Sequence, residues 1–155
     1  MKVRTGLAAV AVAAGLSAFG SAQADDCAGK AGPNRLTVQV ASVRAAMGEV
    51  AVTVYPDDPP RFLAPKGKLL RQRVPAQAPA TKACFYLPVG YYAVAVYHDA
   101  NADRDFNRNA IGLPIEGFGF SNDAPTKVGI PAFSTVRFRT RPGESVIVLH
   151  MRYPR

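Results

Sequence analysis

Oxygen-bearing side chains alternate along one short segment in the second half of the chain. The segment begins after His98 and has such side chains at every second position, Asp99, Asn101, Asp103, Asp105 and Asn107. Ca²⁺ binds roughly six to eight carboxylate, amide or carbonyl oxygens at about 2.3–2.6 Å. Alternating side chains on a tight loop can converge on one point, and Glu116 could add a later ligand. The spacing therefore predicts a candidate calcium site, and Ca²⁺ is the one cofactor that the sequence suggests.

The segment departs from a complete EF-hand at two positions. The sixth loop position of an EF-hand is glycine because the backbone turns sharply there, whereas this chain has Arg104. A left-handed conformation at Arg104 would cost about 1–2 kcal/mol. The twelfth position, normally a bidentate glutamate, is Ala110. The competing hypothesis is that the aspartates and asparagines build turns, because their side chains accept hydrogen bonds from nearby backbone N–H groups.

His98 stands next to Asp99 and offers a second kind of chemistry. An imidazole beside a carboxylate can act as a general acid or base. The alternative function is therefore a small periplasmic hydrolase that uses His98 with Asp99 or Glu116. No nucleophile elbow surrounds Ser121, and His98 continues the alternation of the apolar residues before it. A hydrogen-bonded structural histidine at a strand end is the commoner case, so we assign no catalytic residue.

Glycine, proline and aromatic residues punctuate the rest of this region. Those predicted to shape the loop are Gly112, Pro114, Gly117, Gly119, Phe120 and Asn122. The glycines lack the spacing of a phosphate-binding loop. The whole connection from Asp99 to Pro131 shows no clear strand periodicity, and connections of this length are usually functional or disordered. Its many apolar residues favour one long ordered loop that packs over an end or edge of the fold.

The elements that must position this loop are predicted to be β-strands. Apolar residues alternate with other residues at positions 36–40, 50–54, 92–96, 136–141 and 147–151, and more weakly at 68–74 and 82–87. Thirteen prolines disfavour helices, and one short helical turn is expected near residues 59–63. About seven short strands separated by turns are typical of an all-β antiparallel sandwich.

The first 24 residues have the pattern of a cleaved signal peptide. Lys2 and Arg4 precede an apolar run that ends at Ala22-Gln23-Ala24, a small-x-small cleavage site. The run is shorter than the roughly 20 residues that span a membrane, and the mature chain has no other long apolar run. The predicted mature chain, residues 25–155, suits a single domain and is expected to be periplasmic or secreted.

The composition of the mature chain limits its chemistry. Without residues 1–24 the chain keeps 17 of its 19 basic residues and all 11 acidic residues, which gives a net charge of +6. It lacks the basic patch interleaved with aromatic residues that is typical of nucleic-acid readers, so no nucleic-acid partner is expected. Cys27 and Cys84 form an even pair in an exported chain, which favours one disulfide. Two buried free thiols are the alternative.

The long loop and its flanking strands resemble a known family. The similar positions are His98, Asp99, Asn101, Asp103, Gly112, Pro114, Glu116, Gly117 and residues 119–122, with a Leu-x-Val-x-Val first strand, the run Gly-Tyr-Tyr-Ala-Val and Pro131-x-Phe133. This pattern resembles the domain of unknown function 2141 (DUF2141) family of exported bacterial proteins. The resemblance implies an immunoglobulin-like or transthyretin-like β-sandwich and brings no function. The family usually has glycine at the position of Arg104 and often at Ala102.

The function that the sequence favours is an exported, non-enzymatic binding or interaction module with its site in the loop 98–123. The alternatives are the hydrolase and a purely structural envelope protein. Basic residues cluster at positions 66–73, 137–141 and 152–155, with Arg137, Arg139 and Arg141 expected on the outer face of one strand. Such clusters favour a solvated edge that resists aggregation or adhesion to an anionic surface. The expected partner is an unknown envelope protein, lipid or polysaccharide.

Overall fold

The computed structural model describes residues 26–126 and 129–154, and the predicted signal peptide lies outside them. The strands are β1 (Arg35–Ala41), β2 (Glu49–Pro56), β3 (Leu70–Pro75), β4 (Ala80–Tyr86), β5 (Tyr91–Asp99), β6 (Gly117–Phe120), β7 (Phe138–Arg139) and β8 (Glu144–His150). Between them lie 3-10 turns at Pro59–Arg61 and Ser121–Asp123 and the one-turn helix α1 at Phe133–Val136. The all-β prediction is confirmed, as is the helical turn near residues 59–63. Nowhere in the described ranges is a helix long and apolar enough to cross a membrane.

The strands form two sheets. One has the order β4-β1-β8, and the other has the order β3-β2-β5-β6 with the two-residue β7 beside β5. Strand β1 is antiparallel to β4 but parallel to β8, so that Val38 lies opposite Ala83 on one side and Ile147 on the other. The expectation of a wholly antiparallel sandwich is therefore wrong for one strand pair. The strands number eight rather than about seven because β6 forms inside the long loop.

Alternating apolar residues of both sheets fill the space between them. The buried residues of this core include Leu36, Val38, Val40, Val50, Val52, Val54, Phe85, Val94, Val96 and Leu149. Their period of two confirms the strands predicted at 36–40, 50–54 and 92–96. Because neighbouring residues of a strand point to opposite faces, the remaining positions of β2 and β5 form the outer face of the larger sheet. Burial stabilises this core by about 25 cal/mol for each Å² of apolar surface removed from water.

A second, smaller core covers part of that outer face. Tyr55, Phe120 and Val136 are buried in it, and the partly buried Phe62 packs against them. The ring of Phe62 lies 5.3 Å from that of Tyr55 and 5.9 Å from that of Phe120, both edge to face. Edge-to-face aromatic pairs of this kind stabilise a fold by about 0.5–1.5 kcal/mol beyond their buried area. The cover is incomplete, so the rest of the outer face stays open.

The strand predicted at residues 136–141 is mostly absent. Val136 ends helix α1, and β7 has only two residues. The carbonyl oxygens around Val136 accept hydrogen bonds from side chains instead of from a neighbouring strand. Ser121 Oγ donates to the carbonyl of Val136, and Asn122 Nδ2 donates to the carbonyls of Thr135 and Arg137. The predicted row of three arginines on one strand is therefore also wrong. Arg137 instead forms a bidentate ion pair with Asp57, at 2.6 and 2.7 Å.

Strand β6 lies in the segment that was expected to be an irregular loop. It pairs antiparallel with β5, placing Phe118 opposite Tyr97 and Phe120 opposite Ala95. The sequence gives little indication of this strand, because two of its four residues are glycine and glycine is depleted in strands. Both glycines permit close approach, because a Cβ atom at Gly117 would collide with the ring of Tyr153 and one at Gly119 would lie 2.7 Å from the carbonyl oxygen of His150.

The predicted disulfide is confirmed. Cys27 and Cys84 are bonded, with their Cα atoms 4.6 Å apart. The bond fastens the segment before β1 to β4, where Ala28 N donates to the carbonyl of Cys84 at 2.9 Å and Tyr86 N donates to the carbonyl of Ala28 at 2.8 Å. The first described residues are therefore tied to the sandwich by covalent and hydrogen bonds.

Candidate functional site

The carboxylate of Asp99 organises the beginning of the long loop. Asp99 ends β5 and is fully buried. Its Oδ1 accepts a hydrogen bond from the backbone N–H of Asp103 at 3.1 Å, and its Oδ2 accepts from the N–H of Arg104 at 2.8 Å and from the guanidinium of Arg73 at 3.0 Å. The carboxylate therefore folds the loop back onto the sheet.

The turn around Asp99 contains the two positions at which this chain departs from the DUF2141 pattern. Ala102 and Arg104 have φ angles of 57° and 69°, in the left-handed region that favours glycine. These are the positions at which the resemblance implies glycine. The Arg104 backbone is held in this conformation from both sides, because its N–H donates to Asp99 and its carbonyl accepts from Arg73 at 3.0 Å.

Asp103 forms a second turn-building group on the loop surface. Its Oδ1 accepts from the N–H of Asp105 at 2.9 Å, and its Oδ2 accepts from the side-chain amides of Asn101 at 2.8 Å and Asn107 at 3.0 Å. The N–H of Asp105, followed by these two amides, lowers the pKa of Asp103 below its usual value. The structure thus brings most of the alternating residues together, with the carboxylates accepting hydrogen bonds from N–H groups of the same loop. This is the arrangement expected of turns.

The candidate calcium site stays a prediction. Glu116, its proposed late ligand, accepts a hydrogen bond from the N–H of Asn107 at 3.0 Å. Over residues 26–126 and 129–154, no three or more histidine, cysteine, aspartate or glutamate side chains are grouped so that they could hold a metal ion. The geometry therefore favours the turn-building hypothesis for these side chains.

Glu116 should give the protein a pH-dependent stability. Its side chain is 8% exposed, and burial, reinforced by the charges of Asp99 and Asp103, raises its pKa above 4.5. An acid with a raised pKa in the folded state stabilises the fold below its unfolded pKa and loses that contribution as pH rises through the folded pKa. Glutamine does not titrate, so Glu116→Gln should remove this pH dependence. The free energy of unfolding of the variant should therefore rise relative to that of wild type between pH 4 and pH 7.

Urea unfolding at several pH values measures this difference. Glu144→Gln is the control of opposite sign, because Arg35 lowers the pKa of Glu144 and a lowered pKa stabilises the fold at neutral pH. A Glu116→Gln difference that stays constant from pH 4 to pH 7 would contradict the raised pKa.

Both ring nitrogens of His98 are engaged inside the fold. The residue is 3% exposed, with Nε2 2.8 Å from the carbonyl oxygen of Met47 and Nδ1 2.7 Å from the hydroxyl of Tyr153. A carbonyl oxygen can only accept, so Nε2 carries the proton, and in the neutral ring Nδ1 accepts from Tyr153. Ser121 Oγ accepts a hydrogen bond from the N–H of Val94 and donates one to the carbonyl oxygen of Val136. This arrangement offers no free general base and does not favour the hydrolase hypothesis.

The open part of the outer sheet face forms a cleft of about 570 Å³. We call it the sheet cleft. Its floor is formed by residues that the strand register places side by side. Thr53 on β2 lies between Arg71 on β3 and Ala95 on β5, and Ala95 lies opposite Phe120 on β6. Small side chains on the two middle strands are therefore flanked by an arginine and a phenylalanine on the outer strands. This difference in size makes the face concave.

Aromatic rings line one wall of the sheet cleft. The ring of Phe106 lies 5.4 Å from that of Tyr97 and 5.8 Å from that of Phe118, and Phe118 lies 6.1 Å from Phe120. The loop residues Gly112, Leu113 and Pro114 continue this wall. The Asp99 and Asp103 turns come immediately before Phe106, so they fix the part of the chain that presents this ring.

Two arginines supply the charge of the sheet cleft, and none of its described lining residues is acidic. Arg71 Nε donates to Thr53 Oγ1 at 2.8 Å. Arg108 donates to the carbonyl of Gly112 at 3.0 Å and lies 5.0 Å from the centre of the Phe106 ring. Burial raises the pKa of the neighbouring Tyr55, and the charge of Arg71 partly opposes that rise.

The predicted site segment, residues 98–123, contributes only part of the sheet cleft. Phe106, Phe118 and Phe120 line it, whereas the turn-building aspartates do not. The predicted loop-shaping residues lie around it: Gly112 and Pro114 line the cleft, Gly117 and Gly119 lie in β6, and Asn122 has a φ of 60°. The floor residues Thr53 and Ala95 and the rim residue Arg71 were missed. Thr53 and Ala95 are small residues at outward positions of β2 and β5, but the register that brings them together with Arg71 is not a local property of the sequence.

A family match covers most of these elements. The family model described as "Uncharacterized protein conserved in bacteria (DUF2141)" matches residues 38–147. The chain belongs to the DUF2141 family. The match runs from within β1 to within β8, so it contains the whole larger sheet, the long loop and the sheet cleft of this DUF2141 protein. No curated protein and no solved structure gives a significant match.

Proposed function

We propose that this protein is an exported, non-enzymatic binding module and that its ligand site is the sheet cleft. The observation that carries the proposal is a concave, largely apolar surface of about 570 Å³ with an aromatic wall. Sites for small molecules are typically clefts of roughly 300–1,000 Å³, lined by apolar and aromatic side chains with a few placed polar groups. The sheet cleft has that size and composition.

Exposed apolar residues around the opening support a binding role. Leu113 is 56% exposed and Ile130 is 68% exposed, and both line the sheet cleft. Ile111 and Ile115 are exposed in the same loop. Contiguous exposed apolar surface usually marks an interaction site. Export is supported by the pattern of residues 1–24 and by the disulfide, which is typical of oxidising compartments.

The oxygen-rich loop has a supporting part in this function. Asp99 and Asp103 bind N–H groups of their own loop and so hold the chain that presents Phe106 to the cleft. Binding surfaces gain affinity when they are ordered before the ligand arrives. A purely structural role remains the competing proposal, and it predicts that the sheet cleft binds nothing.

The neutral dye N-phenyl-1-naphthylamine tests the proposal, because its fluorescence rises in apolar surroundings. Mature wild-type protein should bind the dye with saturation. Ala95→Leu should weaken binding at least about tenfold, which corresponds to about 1.4 kcal/mol, because the larger side chain fills the floor between Thr53 and Phe120. Fluorescence titration measures both dissociation constants.

Val148→Leu provides the matched control. Val148 is 48% exposed on β8 of the other sheet, so this change also enlarges an apolar surface residue but lies away from the cleft. It should leave dye affinity within about twofold of wild type. Wild-type protein that fails to bind the dye, or equal affinity of wild type and Ala95→Leu, would contradict the proposed function.

A further inference from the structure

We propose that the ligand of the sheet cleft is a free small amphiphile with an apolar body and one anionic group, and that Arg71 binds the anionic group. This inference rests on the proposed function and adds the chemical class of the ligand. It is carried by the charge of the cleft, which is positive and has no acidic lining residue in the described ranges.

Two neighbouring arginines of β3 differ in what surrounds them. Arg73 is paired with Asp99 at 3.0 Å and Glu49 at 3.5 Å, and it also donates to the hydroxyl of Tyr97. Arg71 lies two residues earlier, so it shares the outer face, but no ion pair of the described residues includes it. Arg73 is therefore committed to holding the loop, whereas the charge of Arg71 is available to a ligand.

The position of Arg71 is fixed before any ligand binds. Its Nε donates to Thr53 Oγ1 at 2.8 Å, which draws the guanidinium across the sheet toward the cleft floor. A planar guanidinium presents paired N–H donors that match the two oxygens of a carboxylate or similar anion. Arg71 is itself exposed, so an anion at this point would gain a charge-assisted hydrogen bond at the rim of the cleft, beside apolar surface.

Arg108 adds positive charge beside Phe106 of the aromatic wall but is less suited to hold the anion. Its guanidinium already stacks over Phe106 and donates to the carbonyl of Gly112. The two arginines flank the aromatic wall and the floor of small residues. A ligand with its anion at Arg71 would therefore lay an apolar body along Ala95 and Phe118, where that body replaces water on apolar surface.

Three ten-carbon amphiphiles that differ only in head group test the inference. Decanoate, decan-1-ol and decylamine, each below its micelle concentration at pH 7, compete with N-phenyl-1-naphthylamine for the mature protein. Decanoate should displace the dye at a concentration at least about tenfold lower than decan-1-ol, equivalent to about 1.4 kcal/mol. Decylamine should be the weakest competitor, because its ammonium group meets like charge.

Arg71→Gln should remove the preference for the anion. Decanoate should lose about tenfold in affinity, so that it no longer displaces the dye at a lower concentration than decan-1-ol does in the same variant. Arg141→Gln is the control for net charge, because Arg141 follows β7 and does not line the sheet cleft. It should leave the preference for decanoate unchanged.

The outcomes separate this inference from the proposed function. Equal displacement by decanoate and decan-1-ol, with dye binding intact, overturns the anionic ligand but leaves the binding module. An anion preference that survives Arg71→Gln and is lost in Arg108→Gln overturns the assignment to Arg71. Arg71-dependent binding to phosphatidylglycerol vesicles that decanoate does not inhibit would point to a membrane surface and overturn the free ligand. Failure of the wild type to bind the dye overturns the proposed function itself.

Discussion

Asp99→Ala should lower the free energy of unfolding by about 3–5 kcal/mol, the cost expected when one partner of a buried charged pair is removed. The Asp99 carboxylate is fully buried, and the side chain of Arg73 is only 17% exposed. Alanine would leave the Arg73 guanidinium without its closest carboxylate and the N–H of Arg104 without its acceptor. The N–H of Asp103 would keep only its longer hydrogen bond to Asn101 Oδ1, at 3.4 Å. A loss of this size is a large fraction of the roughly 5–15 kcal/mol that stabilises a typical domain.

Urea denaturation followed by circular dichroism measures the loss, and Asp105→Ala is its matched control. Asp105 lies in the same loop but is exposed. Its replacement should change the free energy of unfolding by no more than about 0.5 kcal/mol. Asp99→Ala should also weaken dye binding, because the turn that presents Phe106 is lost. An Asp99→Ala variant within 1 kcal/mol of wild type would show that the buried carboxylate does not hold the loop.

Strand positions can be read from this sequence wherever one face of a strand is buried. In β1, β2 and β5 the alternating valines face the core between the sheets, and the period of two is a local property of the chain. The same parity misled at residues 136–141, because Val136 is buried in the smaller core and Phe138 packs against the main core without a continuous strand between them. The decisive partners there are Ser121 and Asn122, whose hydrogen bonds no local pattern reveals.

The sheet cleft could not be predicted because its floor depends on strand register. Arg71, Thr53, Ala95 and Phe120 form one row across four strands, yet they are far apart in sequence. A shift of one residue in any pairing would send the alternate set of side chains to this face. The predicted site segment, residues 98–123, therefore contains Phe106 and Phe118 of the aromatic wall, whereas the floor and Arg71 lie outside it.

The chemistry of the oxygen-rich loop was ambiguous for a different reason. Aspartate and asparagine bind cations and build turns with the same oxygens. The direction of the surrounding N–H groups distinguishes the two roles, and that direction is a property of the folded backbone. Around Asp99 and Asp103 the N–H groups point at the carboxylates. The left-handed residues Ala102 and Arg104 make this possible.

Removal of the disulfide should lower the free energy of unfolding about as much as Asp99→Ala does, but for a different reason. Cys27 and Cys84 are 57 residues apart in sequence. In the chain-entropy model, a cross-link that closes a loop of this length stabilises the fold by about 4 kcal/mol, because it restricts the unfolded chain. Cys27→Ala/Cys84→Ala should therefore lower the free energy of unfolding by about that amount.

The slope of the urea transition separates this loss from that of Asp99→Ala. Without the cross-link the unfolded chain expands and exposes more surface, so the m-value should rise. Asp99→Ala changes contacts of the folded state and should leave the m-value near that of wild type. Wild-type protein unfolded in dithiothreitol should match the double cysteine variant in both quantities. An unchanged m-value and a stability loss below about 1 kcal/mol in the double variant would mean that the bond between Cys27 and Cys84 adds little constraint to the unfolded chain.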